Sequence, residues 1–416
     1  MNSEIFLVIL NSFVYIITFL IYQRKVRTIQ VGSVILLLYA IVSIGSVYLF
    51  ISYPIWGIWD FTNITIFPFI YLYVILLISF KPLLIFTSDK VQGMRMPKSS
   101  IMDWISVLII IIYLGFFFQT ILSSFSIGDL FNADILSENH EDRGETMTME
   151  GSFNVLGILK NIFSDVLWVM FMYNWVCGKR FLAFGLIGAI VVAIFTSLAW
   201  GSRGSLISII MQMPFAIIVF RPLLNSRQKK QVNFTVLALL VMILMGFGAL
   251  TYGRFGDNVN YTLTDIFMYY LSSNFLMFNN YIMDPGGLRY GDRVFPLLRM
   301  LFGMDTSSGF SERRLLFPRL IIDDSQFTFF VGDFCLDFGL VFTFLFFLFF
   351  AAVLYKVFKK KVYDMGDVLL GLLWYNILFF GFTLFVYAEK GGNIRLLYLL
   401  FFIYLFKRFT PNVIKQ

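Results

Sequence analysis

Long apolar runs, each closed by a short polar or basic cluster, follow one another along most of the chain. About 20 apolar residues are enough for a helix to cross a bilayer. The pattern predicts about eleven such helices, over 5–22, 31–52, 64–86, 101–122, 153–176, 181–199, 206–220, 232–251, 329–355, 368–387 and 394–406. The breaks between them alternate in kind. Arg24, Lys25 and Arg27 follow the first run, and Lys90, Arg95 and Lys98 the third. Lys179 and Arg180 follow the fifth, Arg221, Arg227, Lys229 and Lys230 the seventh, Lys356, Lys359, Lys360 and Lys361 the ninth, and Lys407 and Arg408 the last. Positive loops are retained on the cytoplasmic side. The expected protein is therefore an all-α polytopic membrane protein with its N-terminus outside and its C-terminus in the cytoplasm, forming a single integral membrane domain over 1–416.

Two of the outer breaks are long. An acidic loop occupies 123–152, and a large loop over 252–330 is expected to form the active-site face and to contain interfacial helices. Within it, 265–283 is apolar except for Asp265, Ser272 and Asn279 at seven-residue spacing, with Ser273 and Asn280 beside them. That stripe predicts a helix lying in the interface, or dipping into the membrane against protein. A twelfth crossing there would break the charge alternation downstream. The stretch 294–302 predicts a short amphipathic helix bearing Arg299.

Composition agrees with this outline: 59% of residues are hydrophobic, 14% are charged, and 52 are Phe. The net charge of +7 follows from the insertion loops and is no sign of a nucleic-acid partner. Cys177 and Cys335 provide neither a disulfide framework nor a metal spacing. The first apolar run lacks a basic flank before it and a small-residue cleavage site after it, so no cleavable leader is expected. No zinc spacing, P-loop, dinucleotide fingerprint or Ser-His-Asp set is present, and no cofactor is expected.

Charge type then changes the picture. On the expected topology the outer breaks hold ten Arg and two Lys, while the inner ones hold seven Arg and twelve Lys. Between Tyr252 and Gly339 there are seven Arg (254, 289, 293, 299, 313, 314 and 319) and no Lys. A guanidinium offers planar paired donors that match phosphate oxygens, whereas an ammonium acts as a point charge. Most such arginines pair with neighbouring carboxylates; phosphate binding needs only a few to converge.

Several stretches are placed for that task. Arg203, in Gly201-Ser-Arg-Gly-Ser205, sits at an outer turn beside a helix start, where free backbone N–H groups help hold an anion; an interfacial Arg also snorkels to lipid phosphate without specificity. Tyr252-Gly-Arg254-Phe-Gly256 is a second Gly-flanked Arg turn at the same depth. Gly286-Gly-Leu-Arg289-Tyr-Gly-Asp-Arg293 is turn-rich, and its Arg, Tyr and Asp suit either sugar hydroxyls or a solvated loop. Glu312-Arg313-Arg314 and Asp323-Asp324 read as mutual ion-pair partners. Asp333 and Asp337, at i and i+4, share one helix face at the outer end of the ninth run; one is a candidate general base, unless both simply favour a helix N-terminus. His140, the one histidine, lies among carboxylates and reads as solvated. Arg143 is the one basic residue of the acidic loop.

Gln326-Phe-Thr-Phe-Phe330 followed by Asp337-Phe-Gly339 resembles the oligosaccharide repeat-unit polymerases, the Wzy-type polymerases of O-antigen and capsule. Their large outer loop runs into a helix through a polar-aromatic-Thr-Phe-Phe stretch and an Asp-Phe-Gly. Ser202-Arg203-Gly204 and Arg143 resemble two further short motifs of that family, although Gln326 stands where an Asn is common. The resemblance implies a glycosyltransferase of the lipid-carrier class in the cytoplasmic (inner) membrane. Its partners would be an undecaprenyl-diphosphate-linked oligosaccharide, membrane lipid and a chain-length-regulating membrane protein. The expected catalytic residues are Arg203, Arg254, Asp333 and Asp337, with Arg143, Tyr252, Arg289, Arg293 and Gln326 contacting substrate. The rival readings are a glycan ligase, for which a His in the large loop would be expected, and a flippase or transporter, for which ionisable groups deep within spans would be expected.

Overall fold

Wherever the apolar pattern is longest, the backbone is helical. The computed structural model describes residues 2–52, 61, 63–87, 93–122, 152–199, 203–255, 262–307, 309–322, 326–410 and 412–415. In chain order the elements are α1 (Asn2–Val26), α2 (Val31–Ser52), α3 (Ile66–Ile85), β1 (Gly93–Met96), α4 (Ser99–Leu122), α5 (Ser152–Ser164), α6 (Leu167–Val176), α7 (Arg180–Ala199), α8 (Arg203–Phe220) and α9 (Ser226–Phe255). There follow α10 (Leu263–Tyr281), α11 (Pro296–Leu301), α12 (Phe310–Leu316), α13 (Phe329–Phe338), α14 (Leu340–Phe358), β2 (Val362–Asp364), α15 (Met365–Phe380), α16 (Glu389–Arg408) and β3 (Asn412–Lys415). Among the described residues eight helices are long and apolar enough to cross a membrane: α1, α2, α3, α4, α7, α8, α9 and α14. The protein is an all-α, multi-pass membrane protein.

The expected runs that differ do so for local reasons. The run 153–176 is two helices, with Val155–Ser164 and Leu167–Val176 meeting at 58°, and counting them as one span raises the total to nine. The run 329–355 is also two helices, α13 and α14, because Gly339 adopts φ 80° and ψ 169° and ends the first of them. The run 368–387 leaves the helix at Phe380, so α15 has 16 residues. Helix α16 covers 394–406, but its first turns hold Glu389, Lys390, Asn393 and Arg395. The sequence pattern puts Arg254 at a turn beyond the eighth run; instead α9 continues without a break to Phe255, so Gly253 does not interrupt it.

The chain folds into two compact units. The first comprises Met1–Thr87, Thr264–Lys360 and Trp374–Leu397. In it α2 packs on α1 and α3, and α14 packs on α3. Tyr71 Oη donates to the carbonyl of Leu340 at 2.6 Å, which ties the start of α14 to α3. Helix α13 folds back along α14, with ring centroids 5.1 Å apart for Phe338 and Phe342, 4.8 Å for Phe334 and Phe346, and 5.0 Å for Phe330 and Phe347. This descending order of partners makes an antiparallel helical hairpin about Gly339.

At the buried start of α13 one free N–H group finds a partner outside the helix, as a helix end away from water requires: Phe330 N donates to Gly381 O at 2.9 Å. Helix α10 lies against the same unit. Its polar stripe faces protein, with Asp265, Ser272 and Asn279 buried. Tyr48 Oη donates to Asp265 Oδ1 at 2.9 Å, and Asn279 both donates to and accepts from the backbone of Thr65. At Gly45 a Cβ would collide with the Ser272 hydroxyl, so glycine sets how closely α2 and α10 approach.

The second unit comprises Ser88–Leu263, Lys361–Leu373 and Tyr398–Gln416. Helix α7 packs on α4, α6 and α8, and α9 packs on α7 and α8. A small sheet with order β2-β1-β3 joins three loop segments, β1 being parallel to β2 and antiparallel to β3. At the bend between α5 and α6, Gln212 Nε2 donates to the buried Asp165 Oδ1 at 3.1 Å.

Candidate functional site

The turn-rich stretch before α11 meets the Asp-Phe-Gly break inside the first unit. Chain reversal at Gly291, with φ 82°, brings Arg289 and Arg293 to one side of the turn. The i and i+4 spacing of α13 points Asp333 and Asp337 toward it. The result is a buried cluster of two guanidinium groups and two carboxylates. Arg289 Nε donates to Asp337 Oδ1 at 2.6 Å, and Arg289 Nη2 donates to the backbone carbonyl of Asp333 at 3.0 Å. Asp337 Oδ2 also accepts from the backbone N–H of Val294 at 2.7 Å and of Arg293 at 3.2 Å. Asp333 Oδ2 accepts from Phe385 N at 2.7 Å, while its Oδ1 lies 3.4 Å from Arg293 Nη1 and 3.6 Å from Arg289 Nη2.

A second layer extends this network. Asp292 accepts from Ser307 N at 3.0 Å and from Arg313 Nε at 2.8 Å, together with the Ser307 hydroxyl. Arg313 Nη2 reaches on to Glu389 Oε2 at 2.8 Å. Glu389 Oε1 lies 4.0 Å from Arg293 Nε, and Glu389 N donates to Arg293 O at 2.8 Å. Asn393 Nδ2 donates to the carbonyls of Val294 and Tyr387. Burial pushes the Asp292 carboxyl up, but hydrogen bonds from Ser307 and Arg313 outweigh it and hold the group below its ordinary value of 3.8.

Exposure separates the members. Arg289 and Asp337 are fully buried and matched to each other, so they act on the backbone that carries them. The Glu389 side chain is 45% exposed, and of the carboxylates in this network it reaches furthest toward the surface. Glu389 also adopts φ 66°, a conformation that costs a non-glycine residue energy and tends to be kept at working sites. Arg293 lies between the two layers, touching both Asp333 and Glu389.

Of the residues expected from sequence, Arg289, Arg293, Asp333 and Asp337 therefore come together. The Gly286–Arg293 stretch is only partly solvated: Arg289, Asp292 and Arg293 are buried, while Tyr290 is 64% exposed. Gln326 stands apart and accepts from Tyr269 Oη at 2.6 Å. Arg203 opens α8, and Tyr252 and Arg254 close α9, but their side chains lie outside the described residues, as do Arg143 and His140 altogether. Asp323 and Asp324, the expected partners of Glu312-Arg313-Arg314, also lie outside them; Arg313 pairs with Asp292 and Glu389, and Arg314 donates to the carbonyl of Leu320.

Sequence reasoning missed Glu389 and Asn393, and read Arg313 only as an ion-pair residue. The one signal for the first two was the polar run Glu389-Lys-Gly-Gly-Asn393 between two apolar runs, which reads as an ordinary connection. Among the described residues no group of three or more His, Cys, Asp or Glu is placed to hold a metal ion. No family model, no curated protein and no solved structure matches the chain.

Proposed function

We propose that the protein is a lipid-carrier glycosyltransferase that polymerises undecaprenyl-diphosphate-linked oligosaccharide repeats into O-antigen or capsular polysaccharide, on the outer face of the cytoplasmic membrane. The observation that carries this reading is the meeting of the Arg-rich loop with the Asp-Phe-Gly break. Arg289 and Asp337 lock the loop to α13, and that lock presents Arg293 and Glu389 together at the edge of the cluster. In the proposed reaction Arg293 stabilises charge as the diphosphate leaves the sugar carbon. Glu389 takes the proton from the acceptor hydroxyl as the new glycosidic bond forms. Asp333 orients Arg293, and Asp337 holds the turn; sequence alone offers one of these two aspartates as a base, but their hydrogen bonds suit them to positioning.

The absence of His between Tyr252 and Gly339 favours polymerase over ligase. Replacing Arg293 with Lys keeps the charge and loses the planar donor pair. In a deletion strain complemented with that variant, surface glycan resolved on a gel is expected to collapse to single repeats, with polymer reduced about 100-fold, the usual scale for one charge-stabilising donor. Wild-type polymer at equal expression would defeat the assignment.

One observation favours a second reading. The buried Asp165 at the 58° break between α5 and α6 would suit a discontinuous helix of the kind that carries a transport site. A flippase predicts a different cell: deletion would leave no repeat units at the surface, whereas losing a polymerase leaves single ones.

A further inference from the structure

Each of the two short helices of the large loop turns one arginine inward and leaves apolar side chains outward. On α11, Arg299 turns back to donate to the carbonyls of Arg289 and Asp305, each at 2.7 Å. Leu298, Met300, Leu301 and Phe302 are left on the outside, with Leu301 82% exposed and Phe302 74% exposed. On α12, Arg313 is 2% exposed and held by Asp292 and Glu389, while Leu315 is 80% exposed. A loop bathed in water distributes these side chains the other way round, since exposed apolar patches mark an apolar neighbour.

That neighbour is suggested by continuity. Phe295, which leads into α11, packs against Phe338 and Phe346 of the helical hairpin, with centroids 6.0 and 6.3 Å away. One step along the same hairpin, Val341, Phe342 and Leu345 at the start of α14 are 50–75% exposed, and α14 is a span whose bare face must meet lipid. Phe295 thus ties the start of α11 to the hairpin that bears this exposed face.

We propose that α11 and α12 lie in the bilayer as an interfacial platform, with Leu301, Phe302 and Leu315 among the acyl chains at the headgroup boundary. The inward-turned Arg299 and the buried Arg313 anchor the platform from behind, and the exposed Glu312 and Arg314 on α12 remain at the water edge. The platform would hold the Arg293–Glu389 end of the cluster at headgroup depth, but its existence does not depend on the reaction proposed above.

The test uses the full chain in nanodiscs of phosphatidylethanolamine and phosphatidylglycerol. With Cys177 and Cys335 replaced by Ser, single spin labels are placed at Leu301, Leu315, Phe342 and Glu312. Collision with oxygen, which concentrates in lipid, is compared with collision with a water-soluble nickel chelate. The expected oxygen-to-nickel ratio at Leu301 and Leu315 approaches that at the α14 lipid face and exceeds that at Glu312 several-fold. A ratio matching Glu312 would mean the platform faces water, and labels shielded from both colliders would mean that protein, such as a second copy of the chain, covers it. Either result overturns the proposal.

Discussion

At the scale of single residues, the buried Arg289–Asp337 pair decides whether the cluster exists. Two ions removed from water repay their desolvation only when geometry and remaining hydrogen bonds are good, and removing one partner leaves an uncompensated charge. Asp337 accepts from one guanidinium and two backbone N–H groups, so Asp337→Asn is expected to cost about 3–5 kcal/mol, the range for breaking a buried pair. Thermal unfolding of the purified protein in detergent measures this, and an unchanged midpoint would show that the pair does not hold the loop.

Asp292 adds a pH dependence outside the spans. Its folded pKa is lowered from 3.8, so its contribution is complete above that value and is lost as pH falls through the lower folded value. The stability difference between wild type and Asp292→Asn is therefore expected to be full at neutral pH and to shrink in acid, read as converging melting curves. A difference that stays constant into acid would show that the carboxylate charge is not what Ser307 and Arg313 hold. The pairing itself was only half legible from sequence. The seven arginines and the two aspartates announced themselves by type and spacing, but Glu389 and Asn393 lie far along the chain, and no local pattern says which distant turn closes over a loop.

Among the elements, the α13–α14 hairpin does most to place the site. From sequence it was hidden, because ten largely apolar residues run directly into nineteen more with only a glycine between them. Glycine is common within membrane helices, so its presence alone does not mark a break. Here Gly339 takes a φ and ψ nearly restricted to glycine, and a Cβ at that position would meet nothing within 4 Å. Gly339→Val therefore introduces backbone strain without a steric collision, and is expected to cost about 1–3 kcal/mol in the same unfolding assay. Stability equal to wild type would indicate that the chain passes through residue 339 in ordinary helical geometry. The polar stripe of α10 was easier to foresee. Seven-residue spacing fixes a single face, and a face bearing Asp265, Ser272 and Asn279 has to find protein partners if it is to leave water.

For the whole molecule, apolar run length was a dependable guide to helices and a weaker one to spans. Most runs became single long apolar helices, as at α1, α3 and α8. Those holding a buried carboxylate or a left-handed glycine bent or split, as at Asp165 and Gly339, because hydropathy averages over the few residues that decide a break. The arginine excess of the large loop likewise resolves into two uses: Arg289, Arg299 and Arg313 brace the loop from within, and Arg293, itself buried, links that bracing to the half-exposed Glu389. The proposed function rests on this division of labour.

A decisive experiment supplies purified full-length protein in nanodiscs with undecaprenyl-diphosphate-linked repeat units and follows glycan length together with release of undecaprenyl diphosphate. Wild-type protein is expected to yield polymer and released carrier in equal step, and Glu389→Gln to lose both by about 100-fold or more at an unchanged melting temperature. Polymer formation by that variant at the wild-type rate, or lipid-linked repeats crossing the bilayer with no new glycosidic bond, would refute the proposed chemistry.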